Sequence, residues 1–396
     1  MISKKMQELV AGSSVIRAMF EEGKLMAQKY GVENVYDFSL GNPNTAPPDA
    51  IKEDIYDILK REEQIHGYMN NSGYEQTRNK IAAVTNAKYG LKLSVDNICM
   101  CVGAAGGLNI ILKTILDPED EVIVFAPFFG EYKHYISNFD GKIVVIPPNP
   151  PSFLPNFSAL KASITPKTKA VIINTPNNPT GVIYDRATLT ELANILEEKQ
   201  QEMLSQIYLI SDEPYREIVY NNVEVPNVLS FYKNTFIAYS YSKSLSLPGE
   251  RIGYVISSSE MSDLKEVVAG LNVANRVLGF VNAPSLFQKL VERYVDFDAD
   301  ISLYKSNRDI LYSHLKSLGF ELNNPEGAFY LFPKALIEDD VEFCAEAKKF
   351  NLLLVPGSAF GCKGYFRIAY CVSAATVNNS LEAFAKLAKY YNDVVQ

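Results

Sequence analysis

The stretch KAVIINTPNNPTG, residues 169–181, opens a strand–helix–strand unit that continues through ATLTELANILEEKQ (187–200) to IYLIS (207–211). Short β-branched runs that alternate with longer helical patterns are typical of α/β proteins. The alternation extends to both sides and predicts further strands at ICMCV (98–102), EVIVFA (121–126), KIVVIP (142–147), TFIAYS (235–240) and RIGYVIS (251–257). We therefore expect a mostly parallel, seven-stranded sheet flanked by helices.

The chain changes character after about residue 290. A long helical pattern at 298–319 leads to short apolar runs at 329–333, 352–356 and 365–371, and a last helix ends the chain. At 396 residues, the chain exceeds the size at which a single core keeps growing. We predict a large domain of residues 49–290 and a smaller α+β domain of residues 1–48 plus 291–396.

The composition argues against several classes of function. The net charge is −8 and the basic residues are scattered, so we expect neither nucleic acid nor a membrane surface as a partner. No run of about 18 apolar residues occurs, and no apolar signal-peptide core follows the first lysines. The five cysteines form no CxxC pair, which fits a reducing compartment. We predict a cytoplasmic protein that acts on small molecules.

Metal chemistry has little support in the sequence. The histidines, His66, His134 and His314, are far apart, with no carboxylate or thiol at ligand spacing. A Ser/His/Asp or Cys/His triad has equally little local support. No metal site is predicted.

Lys243 follows a predicted strand, at the edge of a parallel sheet where ligands bind. It ends the run TFIAYSYSK and has hydroxyl groups at Ser240, Ser242 and Ser244 around it. Taken alone, it could be a surface lysine. It could also capture an aldehyde as a Schiff base, a reaction that a lowered pKa of the amine favours.

Asp212 follows the apolar run IYLIS, so its carboxylate is expected at the end of a buried strand and needs a partner. It could cap a helix or join a salt bridge in a loop. It could also hold a protonated ring nitrogen of a bound molecule. Tyr215, three residues further on, could hydrogen-bond an oxygen on the same ring, or it could simply pack.

Two loops offer backbone amides to a ligand. The run GAAGG (103–107) lies between a strand and a helix, where small residues let a phosphate approach the positive end of the helix. It does not match GxGxxG, so dinucleotide binding is not favoured. Ser240 and Arg251 could complete a phosphate site. The loop NTPNNPTG (174–181) is, by composition alone, a turn.

Arg367 lies inside the apolar pattern YFRIAY, where an arginine must find an anion. Its guanidinium group suits a carboxylate of a ligand. An internal salt bridge is the alternative that the sequence leaves open.

Together these segments resemble the class I/II aminotransferases, which are fold type I enzymes that use pyridoxal 5′-phosphate (PLP). The spacing of Ser240, Lys243 and Arg251 in SYSKSLSLPGERIGY is similar to the PLP-lysine motif of that family. NNPTG upstream and FRIA downstream complete the set in the right order, over nearly the whole chain. The resemblance implies PLP as cofactor, and an amino acid and a 2-oxo acid as substrates.

The resemblance also implies roles for the matched residues. Lys243 would form a Schiff base with the cofactor and then move a proton to and from the substrate α-carbon. Asp212 would pair with the ring nitrogen, and Tyr215 and Asn178 would bind the phenolic oxygen. Phe129 would stack on the ring, although the family usually has tyrosine or tryptophan there.

The resemblance also assigns residues to the phosphate of the cofactor and to the α-carboxylate of the substrate. The phosphate would be held by Gly103, Ala104, Ala105, Ser240 and Arg251. Arg367 would bind the substrate α-carboxylate, with help from Asn178 and from the backbone of Gly41.

Tyr68, in YMNNSGYEQTR, matches a tyrosine that reaches the phosphate of the neighbouring subunit in the family. The resemblance therefore implies a homodimer with shared active sites. One departure lies in this segment, because Thr77 stands before Arg78 where a leucine is usual.

The reaction is not decided by the resemblance alone. Transamination from an L-amino acid to a 2-oxo acid is the first hypothesis. A PLP-dependent carbon–sulfur β-lyase, or another PLP lyase or decarboxylase, would use the same lysine, aspartate and arginine. A PLP-binding sensor domain of a transcription regulator is the third alternative, but 396 residues leave no room for its DNA-binding domain.

Arg276, in NVANRVLGFVNAP, bears on the choice of substrate. It lies within about one residue of the position where aspartate aminotransferases place an arginine that reads a side-chain carboxylate in the partner's site. If Arg276 has that role, aspartate or glutamate is favoured. If it is a surface arginine, aromatic and other neutral amino acids remain open.

Overall fold

The computed structural model describes residues 2–11, 15–61 and 65–394. The helices are α1 (Lys4–Ala11), α2 (Val15–Tyr30), α3 (Ala50–Arg61), α4 (Glu75–Tyr89), α5 (Gly103–Ile115), α6 (Tyr132–Asn138), α7 (Phe157–Ser163), α8 (Arg186–Met203), α9 (Tyr241–Ser244), α10 (Leu264–Val277), α11 (Ser285–Val291), α12 (Ser302–Ser317), α13 (Asp340–Ala347) and α14 (Ala374–Val394). The strands are β1 (Tyr36–Asp37), β2 (Ile98–Cys101), β3 (Glu121–Phe125), β4 (Lys142–Ile146), β5 (Thr168–Asn174), β6 (Tyr208–Asp212), β7 (Thr235–Ser240), β8 (Gly253–Ser257), β9 (Tyr330–Leu331), β10 (Leu352–Leu353), β11 (Val355–Pro356) and β12 (Phe366–Ala369).

A seven-stranded sheet forms the centre of the molecule, in the order β2-β8-β7-β6-β5-β3-β4. Strand β8 runs antiparallel to both of its neighbours, and the other neighbouring pairs are parallel. The predicted α/β class and the mostly parallel, seven-stranded sheet are therefore confirmed. Each of the seven predicted apolar runs coincides with one of these strands to within two residues at either end.

The register of the strands brings polar residues to one edge of the sheet. Asn174 at the end of β5 lies opposite Asp212 at the end of β6, and Ser240 ends β7. In the antiparallel pair, Ser240 lies opposite Gly253, which also lies opposite Cys101 at the end of β2. This edge therefore collects the loops that the sequence analysis singled out.

Helices cover both faces of the sheet, as the continuous apolar strands require. Ile172 of β5 packs in one core with Ile111 of α5. Its neighbour Val171 packs in a second core with Leu192 of α8. Adjacent strand residues point to opposite faces, so each strand contributes to both cores.

The carboxyl-terminal part of the chain forms a smaller body of helices and short strands. Strands β11, β12 and β9 make an antiparallel sheet in that order, and β1 pairs in parallel with β10. Phe38 from the amino-terminal part shares an apolar core with Phe366 of β12 and Phe384 of α14. This shared core supports the proposed division into residues 49–290 and residues 1–48 plus 291–396, although Tyr215 and Tyr220 also join it.

Two features of the structure bear on the sequence predictions about membranes and metals. Among residues 2–11, 15–61 and 65–394, no helix is long and apolar enough to cross a membrane. The same residues contain no group of three or more His, Cys, Asp or Glu side chains that could hold a metal ion. All five cysteines are free thiols, and all are buried.

Candidate active site

A cavity of about 270 Å³ opens at the polar edge of the central sheet, between the large and small bodies. Most of the predicted site residues line it. They are Gly41, Ala104, Ala105, Phe129, Asn178, Asp212, Tyr215, Ser240, Lys243, Arg251 and Arg367. Residues that are 326 positions apart in the chain, from Gly41 to Arg367, thus meet around one space.

Lys243 lies in the one-turn helix α9, directly after β7, and the hydroxyl of Ser240 caps this turn. Its Nζ donates a hydrogen bond of 2.6 Å to the main-chain oxygen of Gly41. Burial lowers the pKa of Lys243 to about 8; Cys371 opposes this shift, and nearby guanidinium groups add to it. Lys243 is therefore more enclosed than an ordinary surface lysine, and about a tenth of its amine is neutral and nucleophilic at pH 7.

Asp212 ends β6 and is only 5% exposed. Tyr132 donates a hydrogen bond of 2.6 Å to Oδ2, while the buried Oδ1 has no hydrogen-bond partner among the described residues. Burial raises the pKa of Asp212 to about 7; the Tyr132 hydrogen bond opposes this and the charge of Glu213 adds to it. A buried carboxylate with one free oxygen is suited to a cationic N–H group of a ligand.

The first turn of α5 faces the cavity beside Arg251. The helix begins at Gly103, whose φ of 77° is left-handed, and no side chain caps it. The N–H groups of Ala104 and Ala105 are therefore available to an anion at the positive end of the helix. A Cβ on Gly103 would lie 2.9 Å from Nη2 of Arg251, and the hydroxyl of Ser240 borders the same cavity.

Arg367 is buried in β12 at the other end of the cavity. Its guanidinium group donates to Oδ1 of Asn178 at 3.0 Å and to the main-chain oxygen of Ser39. It lies between the rings of Tyr330 and Phe360, at 4.7 and 4.8 Å from their centroids. Burial lowers the pKa of Arg367, and its buried Nε has no partner in the described part of the chain.

The partners of Arg367 decide between the two alternatives for this residue. Its hydrogen bonds in the described chain go to an amide and a main-chain carbonyl, not to a carboxylate. The proposed internal salt bridge is therefore not what holds it. A guanidinium group without an anion in a cavity wall is a receptor for a ligand carboxylate.

Several tyrosines of the site were missed by the sequence analysis. Tyr330 lines the cavity, and its hydroxyl lies 2.7 Å from that of Tyr215. Tyr132 holds Asp212 and makes an edge contact with the ring of Phe129. Tyr135 also lines the cavity. Nothing in the sequence distinguished these tyrosines from apolar packing residues.

Three predicted residues are not among those that line the cavity: Gly103, which adjoins Ala104 at the start of α5, and two exposed residues. Tyr68 is 97% exposed. Arg276 lies exposed in the last turn of α10. Both were predicted to act in a neighbouring subunit, so these roles stay predictions.

The charges of the cavity define the ligand that it can accept. Among the described residues that line it are three cationic side chains, Lys243, Arg251 and Arg367, and one carboxylate, that of Asp212. Such a set suits molecules with more than one anionic group and one cationic N–H group.

A family model described as "Aminotransferase class I and II" matches residues 33–384. The chain belongs to this family. An aspartate aminotransferase of Thermotoga maritima is 30% identical over 388 residues, which cover 96% of this chain and 98% of that protein.

Solved structures of aminotransferases match this chain over almost its whole length. An amino transferase from Eubacterium rectale has a TM-score of 0.96 and 43% identity, with 99% of both chains covered. The aspartate aminotransferase of Thermus thermophilus with maleate has a TM-score of 0.86 and 26% identity, and the match covers 98% of this chain and 99% of that one.

These comparisons confirm the prediction that this enzyme is an aminotransferase rather than a lyase on the same fold. Members of the family use PLP. The cavity residues fit that cofactor, because the free oxygen of Asp212, the amine of Lys243 and the cationic corner at Arg251 match its ring nitrogen, aldehyde and phosphate.

Proposed function

We propose that this aminotransferase binds PLP through Lys243 and transfers the amino group of L-aspartate or L-glutamate to a 2-oxo acid. The observation that carries the proposal is the meeting of Lys243, Asp212 and Arg367 around one cavity. When bound, PLP supplies an aldehyde that takes up amines and a ring that withdraws electrons from the substrate α-carbon.

Lys243 has two tasks in this proposal. Its neutral amine would hold the cofactor through the aldehyde, with loss of water, and a pKa of about 8 leaves part of the amine neutral near neutral pH. When it is not holding the cofactor, the same amine would accept a proton from the substrate α-carbon and return one. Its hydrogen bond to the carbonyl of Gly41 gives the amine a fixed resting position.

Asp212 holds the proton at the ring nitrogen. A cationic partner at the free Oδ1 would reverse the effect of burial and lower the pKa of this carboxyl group. Tyr132 keeps the other oxygen in place. The proposed role of Tyr215 and Asn178 is to bind the phenolic oxygen of the same ring.

The phosphate and the substrate carboxylate are held at opposite ends of the cavity. We assign the phosphate to the residues of the α5 end, namely Gly103, Ala104, Ala105, Ser240 and Arg251. Arg367 then takes the substrate α-carboxylate, because its guanidinium group has no anion within the described chain. Phe129, in the cavity wall, stacks on the ring.

The preference for an acidic donor rests on the names of the relatives and on Arg276. Proteins from Thermotoga and Thermus that match this chain are named aspartate aminotransferases. In a homodimer with shared sites, the exposed Arg276 and Tyr68 would reach the cavity of the neighbouring subunit. The cytoplasmic location likewise remains a proposal from the sequence.

The decisive experiment follows the near-ultraviolet and visible absorbance of the PLP-loaded enzyme during addition of amino acids. L-Aspartate or L-glutamate should convert the aldehyde form of the cofactor to its amine form, and a 2-oxo acid should restore it. Conversion only by aromatic or other neutral amino acids would overturn the acidic donor while leaving the aminotransferase intact.

A variant tests the role of Lys243 itself. Lys243→Ala should bind PLP without the covalent link and lose turnover by several orders of magnitude. Lys233→Ala, which removes an exposed lysine paired with Glu197, is the matched control and should keep full activity. Full activity in Lys243→Ala would contradict the proposal.

A further inference from the structure

Tyr330 contacts two residues of the proposed site, Tyr215 and Arg367. Its hydroxyl lies 2.7 Å from the hydroxyl of Tyr215, and its ring lies 4.7 Å from the guanidinium group of Arg367. It is almost fully buried, in β9 of the small body. The same side chain thus touches the proposed holder of the cofactor and the proposed holder of the substrate carboxylate.

The hydrogen bond between the hydroxyls of Tyr215 and Tyr330 has a defined direction once a ligand is bound. Each phenol has one proton to donate and can also accept. Either hydroxyl can be the donor in the chain alone, and burial raises the pKa of both groups, so both keep their protons. If Tyr215 donates to the phenolic oxygen of the cofactor, only Tyr330 can donate within the pair.

We propose that Tyr330 is a positioning residue, whose hydroxyl orients the Tyr215 hydroxyl toward the cofactor and whose ring holds Arg367 in place for the substrate carboxylate. This inference rests on the proposed function, because it takes Tyr215 as the group that binds the phenolic oxygen. A donor hydrogen bond to Tyr215 makes its own O–H group a stronger donor.

Gly41 supports this role from the opposite wall. A Cβ on Gly41 would lie 2.0 Å from the hydroxyl oxygen of Tyr330, far inside van der Waals contact, so any side chain there would displace that hydroxyl. The carbonyl of the same glycine accepts from Lys243. The close approach of Gly41 therefore fixes the Tyr330 hydroxyl and the resting amine relative to each other.

The first test uses Tyr330→Phe, which removes the hydroxyl but keeps the ring. A weaker hydrogen bond from Tyr215 leaves more negative charge on the phenolic oxygen, and that charge favours the protonated nitrogen of the Lys243–cofactor linkage. The pKa of this nitrogen, read from the absorbance of the loaded enzyme against pH, should rise by roughly half a unit.

The second test uses Tyr330→Leu, which also removes the ring. Loss of the aromatic face next to Arg367 should weaken binding of the donor amino acid by roughly tenfold. Its dissociation constant comes from the amplitude and rate of the absorbance change in a single turnover. Tyr330→Phe should leave this constant close to that of the wild type, since the ring remains.

A matched control is available in the same core. Tyr220 is fully buried and its hydroxyl binds the carbonyl of Ala328 at 2.7 Å, away from the cavity. Tyr220→Phe therefore removes a buried hydroxyl without touching Tyr215. It should lose thermal stability without moving the pKa of the linkage.

The outcomes separate this inference from the proposed function. Tyr215→Phe should raise the same pKa, and the double variant with Tyr330→Phe should match Tyr215→Phe alone. If Tyr215→Phe moves the pKa but Tyr330→Phe behaves like Tyr220→Phe, the positioning role is refuted. If Tyr215→Phe leaves the pKa unchanged, or no linkage forms, the proposed function fails first and this inference with it.

Discussion

Asp212 and Glu213 are neighbours in the chain whose carboxylates have opposite surroundings. Glu213 accepts from the hydroxyl of Ser211 at 2.7 Å and pairs with Arg216 at 2.6 Å. Asp212 has a partner for one oxygen only. One carboxylate is thus satisfied by the fold itself, while the other is left to be satisfied by a ligand.

Asp212→Asn should stabilise the enzyme without cofactor at pH 8. The pKa of Asp212 is raised from 3.8 to about 7. The protonated carboxyl group therefore contributes stability that is fully present below pH 3.8 and is lost as the pH rises through 7. Above that pH the ionised group opposes folding, by on the order of 4 kcal/mol. Thermal unfolding should show a larger gain for the variant at pH 8 than at pH 5, because only part of this contribution has been lost at pH 5.

With PLP bound, the order of stabilities should reverse, because the wild-type carboxylate then has a cationic partner. Asp49→Asn removes an exposed carboxylate and should behave like the wild type in both states. A cofactor-free Asp212→Asn enzyme no more stable than the wild type at pH 8 would contradict the assignment.

Single residues were predictable where a motif or a misplaced charge marked them. Lys243, Asp212 and Arg367 each interrupt or end an apolar run, which is why the sequence singled them out. Tyr330 and Tyr132 were missed because a tyrosine inside an apolar pattern is usually a packing residue. Only the fold brings their hydroxyls to the cavity.

At the scale of elements, the antiparallel strand β8 shapes the phosphate end. It brings Gly253 next to Gly103, where a Cβ on Gly253 would lie 3.1 Å from the Cα of Gly103. Arg251 precedes this strand in a left-handed conformation, with φ of 52°. The start of α5 and the guanidinium group are thus aligned by close backbone packing.

Gly103→Ala should weaken PLP binding by roughly tenfold, because its Cβ would displace Arg251 from the phosphate corner. Gly90→Ala is the matched control, since Gly90 has a φ of 68° and open space around its Cβ position. Both variants should lose about 1 kcal/mol of stability from backbone strain.

Equilibrium dialysis against PLP separates the two effects. Equal dissociation constants for the two glycine variants would mean that strain alone matters, and that Arg251 does not depend on Gly103.

The elements were predictable to different degrees. The buried strands were found because parallel strands read as continuous apolar runs. The antiparallel direction of β8 was not specified, although the chain between β7 and β8 is short and holds only α9 and a 3₁₀ turn at Pro248–Glu250 among the described elements. Helices α3 and α4 were not predicted; in α4 the buried face includes Thr77, Arg78 and Thr85, which do not form an apolar stripe in the sequence.

At the scale of the whole molecule, the amino-terminal segment ties the two bodies together. Ser39 binds Arg367 of the small body, and two residues later Gly41 binds Lys243 of the large body. The pairing of β1 with β10 holds this segment on the small body. Its place could not be read from the sequence, because pairing between distant segments has no local signal.

Hybrid dimers test the proposed sharing of sites. Lys243→Ala and Tyr68→Ala subunits should each be impaired alone, yet a mixture should contain hybrids with one intact site if Tyr68 acts in the partner. Random reassociation at limiting PLP should restore about a quarter of the wild-type activity. No recovery in dimers shown to have exchanged would mean that Tyr68 acts within its own subunit or not at all.

The buried cysteines have a consequence for measuring how the enzyme unfolds. Burial raises the pKa of Cys99, Cys362 and Cys371 to about 12, and it raises those of Cys101 and Cys344 as well. Thiolates are the reactive species, so at neutral pH a thiol reagent reaches these residues only when the surrounding structure opens.

Labelling kinetics then report the order in which parts of the chain open. Cys99 and Cys101 lie in the large body, and Cys344, Cys362 and Cys371 lie in the small one. In mild denaturant, mass spectrometry of pulse-labelled enzyme should show two groups of rates, one for each body. A single common rate would mean that the chain opens as one cooperative unit, and the native cysteines would record this without any added probe.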